Sequence, residues 1–172
     1  MHTHVPHSLN GFFNAITLTG SARFLVPASV LAVIALWVAR RQVEALLMGV
    51  SMVAAPLAIY ALKAVVDRAR PALWETPWYW GSSFPSGHTL SAAAFATAGV
   101  MCVVRIWPQR RGLAILATGF AIAWTVSVAL SRLVIGVHWP TDVLASVALG
   151  IAIPAFFSKM FDLYQRQEQR EK

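Results

Sequence analysis

Residues 86–106 read SGHTLSAAAFATAGVMCVVRI. An α-helix needs about 20 mostly apolar residues to cross the hydrocarbon core of a bilayer, and this run has that length. Ala92, Ala93, Ala94, Ala96, Ala98 and Gly99 are the small residues that let helix backbones approach closely in lipid. The run therefore predicts a membrane span at the centre of a bundle. Four other apolar runs can also cross, at 22–39, 43–66, 113–130 and 141–158. Pro27, Pro56 and Pro154 fall inside three of them, where a spanning helix tolerates a kink because neighbours re-satisfy the freed carbonyls. The predicted fold class is all-α: a polytopic transmembrane helix bundle of about five spans.

Composition points the same way. Of 172 residues, 58% are hydrophobic and 12% charged, with a mean hydropathy of +0.61, far from the make-up of a soluble domain. The formal charge of +7 does not imply nucleic acid, because the basic residues are scattered between apolar runs rather than gathered on one face. The bilayer is the predicted partner. Cys102 is the one cysteine, so no intrachain disulfide forms, and it reads as a small buried hydrophobe.

Residues 1–21 differ from the rest. Leu9, Phe12, Phe13 and Ile16 recur at helical spacing, Ser8 can cap the start and Gly20 can end it, but the stretch is too short to span. It reads as an interfacial amphipathic helix. It lacks the basic leader and small-residue cleavage site of a secretory signal, which predicts that it stays in the mature chain. His2, His4 and His7 read as solvated terminal residues rather than metal ligands. Residues 22–160 form the predicted transmembrane domain and 161–172 a charged cytoplasmic tail.

Arg40-Arg41, Arg110-Arg111 and, after the last run, Lys159, Arg166, Arg170 and Lys172 share one side if there are five spans, and the positive-inside rule makes that side cytoplasmic. The loops 67–84 and 131–140 then share the opposite face with Trp74, Trp78, Tyr79, Trp80 and Trp139, an aromatic belt; Trp37 and Trp107 mark the cytoplasmic one. Lys63, Arg68, Arg70 and Arg132 run against the charge trend, which suggests that a ligand holds them there. For Arg68 alone the preferred reading is a side chain snorkelling to headgroups. Arg23, Arg105 and Asp162 read as span-end residues, Asp67 as a partner for Arg68 or Arg70, and Glu75 as a solvated loop residue.

Three short stretches carry chemistry: Lys63 with Arg70-Pro71, Pro85-Ser86-Gly87-His88, and Ser131-Arg132 with His138 and Asp142. Ionisable residues at membrane depth are expensive and mark sites. A phosphate ester resists attack because its oxygens are negative, so a catalyst must neutralise them with placed cations and N–H donors. Lys63, Arg70 and Arg132 have that charge, and the arginines can fork onto two oxygens each. Ser86 can offer its hydroxyl or simply cap a helix, Gly87 lets backbone approach an oxyanion, and a helix start there adds free N–H groups. His138 and Asp142, four apart, can share a helical face and hydrogen-bond, which would fix the imidazole tautomer and leave the other nitrogen as an attacking lone pair.

These stretches resemble the three-part signature of the type 2 phosphatidic acid phosphatase superfamily, which includes bacterial membrane lipid phosphatases, glucose-6-phosphatase and soluble vanadium haloperoxidases. Every signature position is matched, in order and at the family spacing, between Lys63 and Asp142; residues 1 to about 40 carry none of it. A six-span core is usual in the family, and here the interfacial segment stands in place of the first span. The resemblance implies His138 as the nucleophile that forms a phosphohistidine, Asp142 as the residue that orients it, and His88 as the general acid that later activates water. Phosphate binding falls to Lys63, Arg70, Ser86, Gly87 and Arg132. No metal or cofactor is predicted, since Asp67, Glu75 and Asp142 are too sparse to hold two magnesium ions. The predicted substrate is a membrane lipid phosphate or diphosphate. Undecaprenyl diphosphate at the periplasmic face of a bacterial inner membrane comes first, with phosphatidylglycerophosphate, phosphatidic acid and lipid A 1-phosphate as alternatives. Outside that chemistry stand a haloperoxidase, for which the chain is too small, and a lipid or anion transporter, which would not need both histidines with the aspartate.

Overall fold

The computed structural model describes residues 7–71 and 81–170 of the chain. Six helices follow in order: α1 (His7–Thr19), α2 (Ala22–Val38), α3 (Gln42–Val66), α4 (Gly87–Ile106), α5 (Arg111–Val134) and α6 (Pro140–Arg170). Five stretches are long and apolar enough to cross a membrane, Gly11–Val38, Gln42–Val66, Gly87–Ile106, Arg111–Val134 and Pro140–Arg170. The chain is an all-α, multi-pass membrane protein. Its outward surface agrees, with Val38, Tyr60, Val65, Leu116 and Phe120 exposed as lipid-facing residues are.

α4 is the central helix, packed against α3, α5 and α6 and touching α2. Its alanines make this possible. Ala92, Ala93, Ala94 and Ala98 are buried, and α6 meets them with Gly150, where an added Cβ would lie 2.5 Å from Ala93 Cβ and 2.7 Å from the Leu90 carbonyl. Backbone thus rests on backbone at this crossing, the close approach that small residues permit. Around it Ala55, Leu90 and Ala94 are sealed by Met52, Ile59, Leu149 and Ile153.

Two boundaries differ from the sequence reading. α5 runs to Val134, so Ser131 and Arg132 lie in its last turn and not in a loop. The helix ends at a glycine that the sequence reading did not use: Gly136 N–H donates to the Leu133 carbonyl at 2.9 Å and Val137 N–H to that of Arg132 at 3.3 Å, with Gly136 at φ 75°, a Schellman stop. α6 continues to Arg170, so the polar tail prolongs the last span as helix. The third difference concerns α1. Its last turn seats against α5, where Trp124 Nε1 donates to Thr19 Oγ1 at 2.8 Å, and Thr17 and Gly20 are buried while Phe12 and Leu18 are exposed. His2, His4, Trp74, Glu75, Trp78, Tyr79, Trp80 and Lys172 lie outside the described residues.

Candidate active site

Six helix ends meet at one end of the bundle: the C-termini of α1, α3 and α5 and the N-termini of α2, α4 and α6. α3 stops at Asp67, which takes a left-handed conformation (φ 39°) and sends its N–H to the Lys63 carbonyl. The chain then runs back as 68–71 beside 81–84. Ser83 N–H donates to the Arg68 carbonyl at 2.7 Å, Arg68 N–H to Ser82 Oγ at 2.9 Å, and Ser83 Oγ to the Ala69 carbonyl at 3.1 Å. Trp139 Nε1 reaches the same Ala69 carbonyl at 3.0 Å. These bonds tie the first two signature stretches to the third.

The cations converge on this frame. Lys63 Nζ donates to the Ser82 carbonyl, and Arg70 Nη2 donates to the same oxygen at 3.4 Å. Arg70 also donates through Nε to the Gly81 carbonyl at 3.2 Å and through Nη1 to that of Val137, next to His138, at 2.9 Å. Arg132 is 2% exposed; a guanidinium so buried is not snorkelling. Its Nη1 donates to Thr17 Oγ1 on α1 at 2.7 Å, and it lies near enough to His88 to act on it electrostatically.

His138 is buried, on the loop between α5 and α6. Its Nδ1 is 2.6 Å from the Ser83 carbonyl. A carbonyl only accepts, so Nδ1 carries the proton and Nε2 the lone pair. Burial, followed by the Arg132 and Arg70 cations, pushes its pKa down to about 3, with the Ser83 carbonyl and Lys63 acting more weakly in opposite senses. The imidazole is therefore neutral at physiological pH.

Here the expected His138–Asp142 hydrogen bond is corrected. Asp142 Oδ2 stands 3.7 Å from Nδ1, too far for a hydrogen bond. Its carboxylate, 0% exposed, is engaged elsewhere. Oδ2 accepts the Trp139 N–H at 2.9 Å, and Oδ1 accepts Arg68 Nη1 at 2.7 Å. The first bond is half of a capping box on α6, whose first position is Pro140. Arg68 is corrected too. It pairs with Asp142 and not with Asp67, donates to Thr141 Oγ1 at 2.6 Å, and lies over the Trp139 ring at 5.4 Å.

Ser86 is fully buried. Its Oγ shares a hydrogen bond with Thr89 Oγ1 at 3.0 Å, and its N–H donates to Ser146 Oγ at 2.8 Å, so the hydroxyl is turned into the bundle and caps no backbone N–H. The first closing bond of α4 is Leu90 N–H to the Ser86 carbonyl, which leaves Gly87, His88 and Thr89 as its first-turn N–H groups. A Cβ on Gly87 would meet Ile59 only at 3.8 Å, so protein packing does not require the glycine. Gly87, His88 and Lys63 close one end of an apolar groove of about 760 Å³ whose walls are α2 and α3, including Val26, Val30, Val33, Met52 and Val53.

At the other end of the bundle Arg105 pairs with Asp162 at 2.7 Å and reaches Glu44 at 4.0 Å, crosslinking α3, α4 and α6. Sequence reasoning missed Thr17, Ser83 and Arg68 as supporting residues. Ser83 works through its carbonyl, which no residue type announces; Arg68 sits two residues before Arg70-Pro71 and could have been weighed with it.

The chain belongs to the PAP2 superfamily, whose family model matches residues 44–166 and so includes all three signature stretches. It is 39% identical over 75 residues to phosphatidylglycerophosphatase B of Escherichia coli, a match that covers 44% of this chain and 27% of that protein. The chain thus spans about a quarter of that relative's length. Over 90% of its own length and 75% of the relative's it is 30% identical to phosphatidylglycerophosphatase B of Bacillus subtilis. It is 29% identical to the undecaprenyl-diphosphatase BcrC of the same organism, over 81% of this chain and 71% of that one. Among solved structures it superposes on the PAP2-type phosphatidylglycerolphosphate phosphatase of B. subtilis with a TM-score of 0.83 and 28% identity, covering 93% of this chain and 79% of that chain.

Proposed function

We propose that this protein is an integral membrane lipid phosphatase that works through a phosphohistidine on His138. The observation that carries the reading is His138 itself: a buried imidazole held neutral among three cations, its Nδ1 proton fixed on the Ser83 carbonyl. That tautomer presents Nε2 as a nucleophile. Nε2 attacks phosphorus while Lys63, Arg70 and Arg132 neutralise the equatorial oxygens, the P–O bond to the lipid breaks, and His88 gives its proton to the leaving oxygen. His88 then takes a proton from water, whose oxygen displaces Nε2 and releases phosphate. Asp142 acts in this scheme through the loop geometry that it holds with Arg68 and Trp139.

The groove between α2 and α3 supports a lipid substrate, because it joins Lys63, Gly87 and His88 to a wall of valines open to the bilayer side. Undecaprenyl diphosphate at the periplasmic face of an inner membrane remains the first substrate reading, supported by the loop charges Arg40-Arg41 and Arg110-Arg111, which by the positive-inside rule argue for motif loops on the outer side. Phosphatidylglycerophosphate is the second, favoured by the names of the E. coli and B. subtilis relatives. The test is phosphate release by purified protein in detergent from those two lipids, phosphatidic acid and lipid A 1-phosphate. Turnover that survives EDTA, is blocked by vanadate and passes through an acid-labile phosphoprotein is expected. No release from any of the four refutes the activity, and the highest kcat/KM names the substrate.

A further inference from the structure

We infer that Thr17, on α1, which carries no signature residue, is a positioning residue for phosphate binding: its hydroxyl fixes the plane of the Arg132 guanidinium. The inference rests on the phosphatase reading above. Thr17 is 8% exposed, and its Oγ1 accepts from Arg132 Nη1 at 2.7 Å across 115 positions of chain. A guanidinium is a rigid planar fork, so one N–H held by a placed acceptor restricts the directions of the other four.

The acceptor is itself held. Thr19 Oγ1 takes the Trp124 Nε1–H at 2.8 Å and donates to the Ile16 carbonyl at 2.7 Å. Gly20 is wedged where an added Cβ would lie 2.7 Å from Val128 Cγ1 and 3.3 Å from the His88 carbonyl. The end of α1 is therefore pinned to α5 just after Thr17, at Thr19 and Gly20, and abuts the residue assigned as general acid. Satisfying a buried donor would alone give Thr17 a purely structural role, in which its loss would show in stability and not in phosphate handling. The two roles make different predictions.

The test uses the full chain in detergent. Thr17→Val keeps the shape and removes the acceptor; Thr17→Ser keeps the acceptor. The expected result for Thr17→Val is a fall of about 10- to 100-fold in kcat/KM for lipid phosphate, the range for a lost bond to a charged group, with vanadate affinity, read by direct binding, falling in parallel. Helix content and melting temperature should stay near wild type, and Thr17→Ser should recover most of the loss. In an Arg132→Lys background Thr17→Val should cost little more, because the two act as one unit. Wild-type kcat/KM and vanadate affinity in Thr17→Val, no rescue by serine, or a full additive loss in the Arg132→Lys background would each overturn the inference. If Thr17→Val does not fold, Thr17→Ala is read in the same way. Wild-type protein that turns over no lipid would refute the phosphatase reading alone, since vanadate binding would still report on Thr17.

Discussion

Replacing Arg68 by Met removes the counter-charge of Asp142 and should reach His138 indirectly. Asp142 is fully buried, and Arg68 keeps 38% of its side chain exposed at a separation of 2.7 Å. At an effective dielectric of about 20 the gross attraction is about 6 kcal/mol. Desolvation and solvent screening offset much of that, so truncation should cost about 1.5–3 kcal/mol of stability, as for bonds to charged groups. The bare carboxylate would then face His138 Nδ1 across 3.7 Å. Its field stabilises the imidazolium, so the pKa of His138 rises from about 3. The unscreened effect at that distance is about 4 kcal/mol, and after screening about 1–2 pH units are expected. With the neutral form as the proposed nucleophile, activity should be lost as pH falls through this pKa, and the acid limb of kcat/KM, which reports the free enzyme, should move up by that amount. The assay is phosphate release from pH 3.5 to 7 by wild type, Arg68→Met, Asp142→Asn and the double variant. An unmoved limb in Arg68→Met would refute the reasoning, as would fully additive stability losses in the double variant.

His138→Ala should abolish turnover with the bundle still folded, and retention of more than about a tenth of wild-type activity would remove it as nucleophile, since such losses normally span orders of magnitude. Gly150→Ala should destabilise by about 1–3 kcal/mol through overpacking against Ala93 and the Leu90 carbonyl, read as a lowered melting temperature; an unchanged one would show that α4 and α6 part freely. In a Cys102→Ser background, Ala69→Cys should react with an impermeant thiol reagent in intact spheroplasts and Gln109→Cys only after lysis. The reverse pattern would invert the topology.

Much of the fold was legible because lipid imposes a simple rule: a backbone in hydrocarbon must close its own hydrogen bonds, so long apolar runs are helices. The alanine run of α4 also announced its central place. What sequence could not show were contacts made by backbone. The stop of α5 after Val134 had a signal, Gly136, that was passed over, whereas Ser83 holds His138 through an oxygen that every residue has. The relation of His138 to Asp142 misled for a related reason. Four residues apart suggests a shared face only within a helix, and here His138 precedes the cap of α6 while Asp142 lies in its first turn, turned back to that cap. Thr17 lay farthest from reach, in a segment with no motif and a partner 115 positions away.

The crossing of α4 and α6 at Gly150 divides the molecule into parts with different freedom to vary. There the wall behind the His88 and Asp142 helices is backbone against methyl, and almost any enlarged side chain pushes the two apart. α2 buries only Leu25 and Ser29 and gives the groove side chains such as Val26 and Val30 that are largely exposed. On the proposed function, substitutions along α2 would therefore reshape the space for a lipid chain without moving a hydrogen bond at Lys63 or His138. On the proposed reading, such a chain would change the lipid it accepts through one exposed helix while its chemistry stays fixed by another.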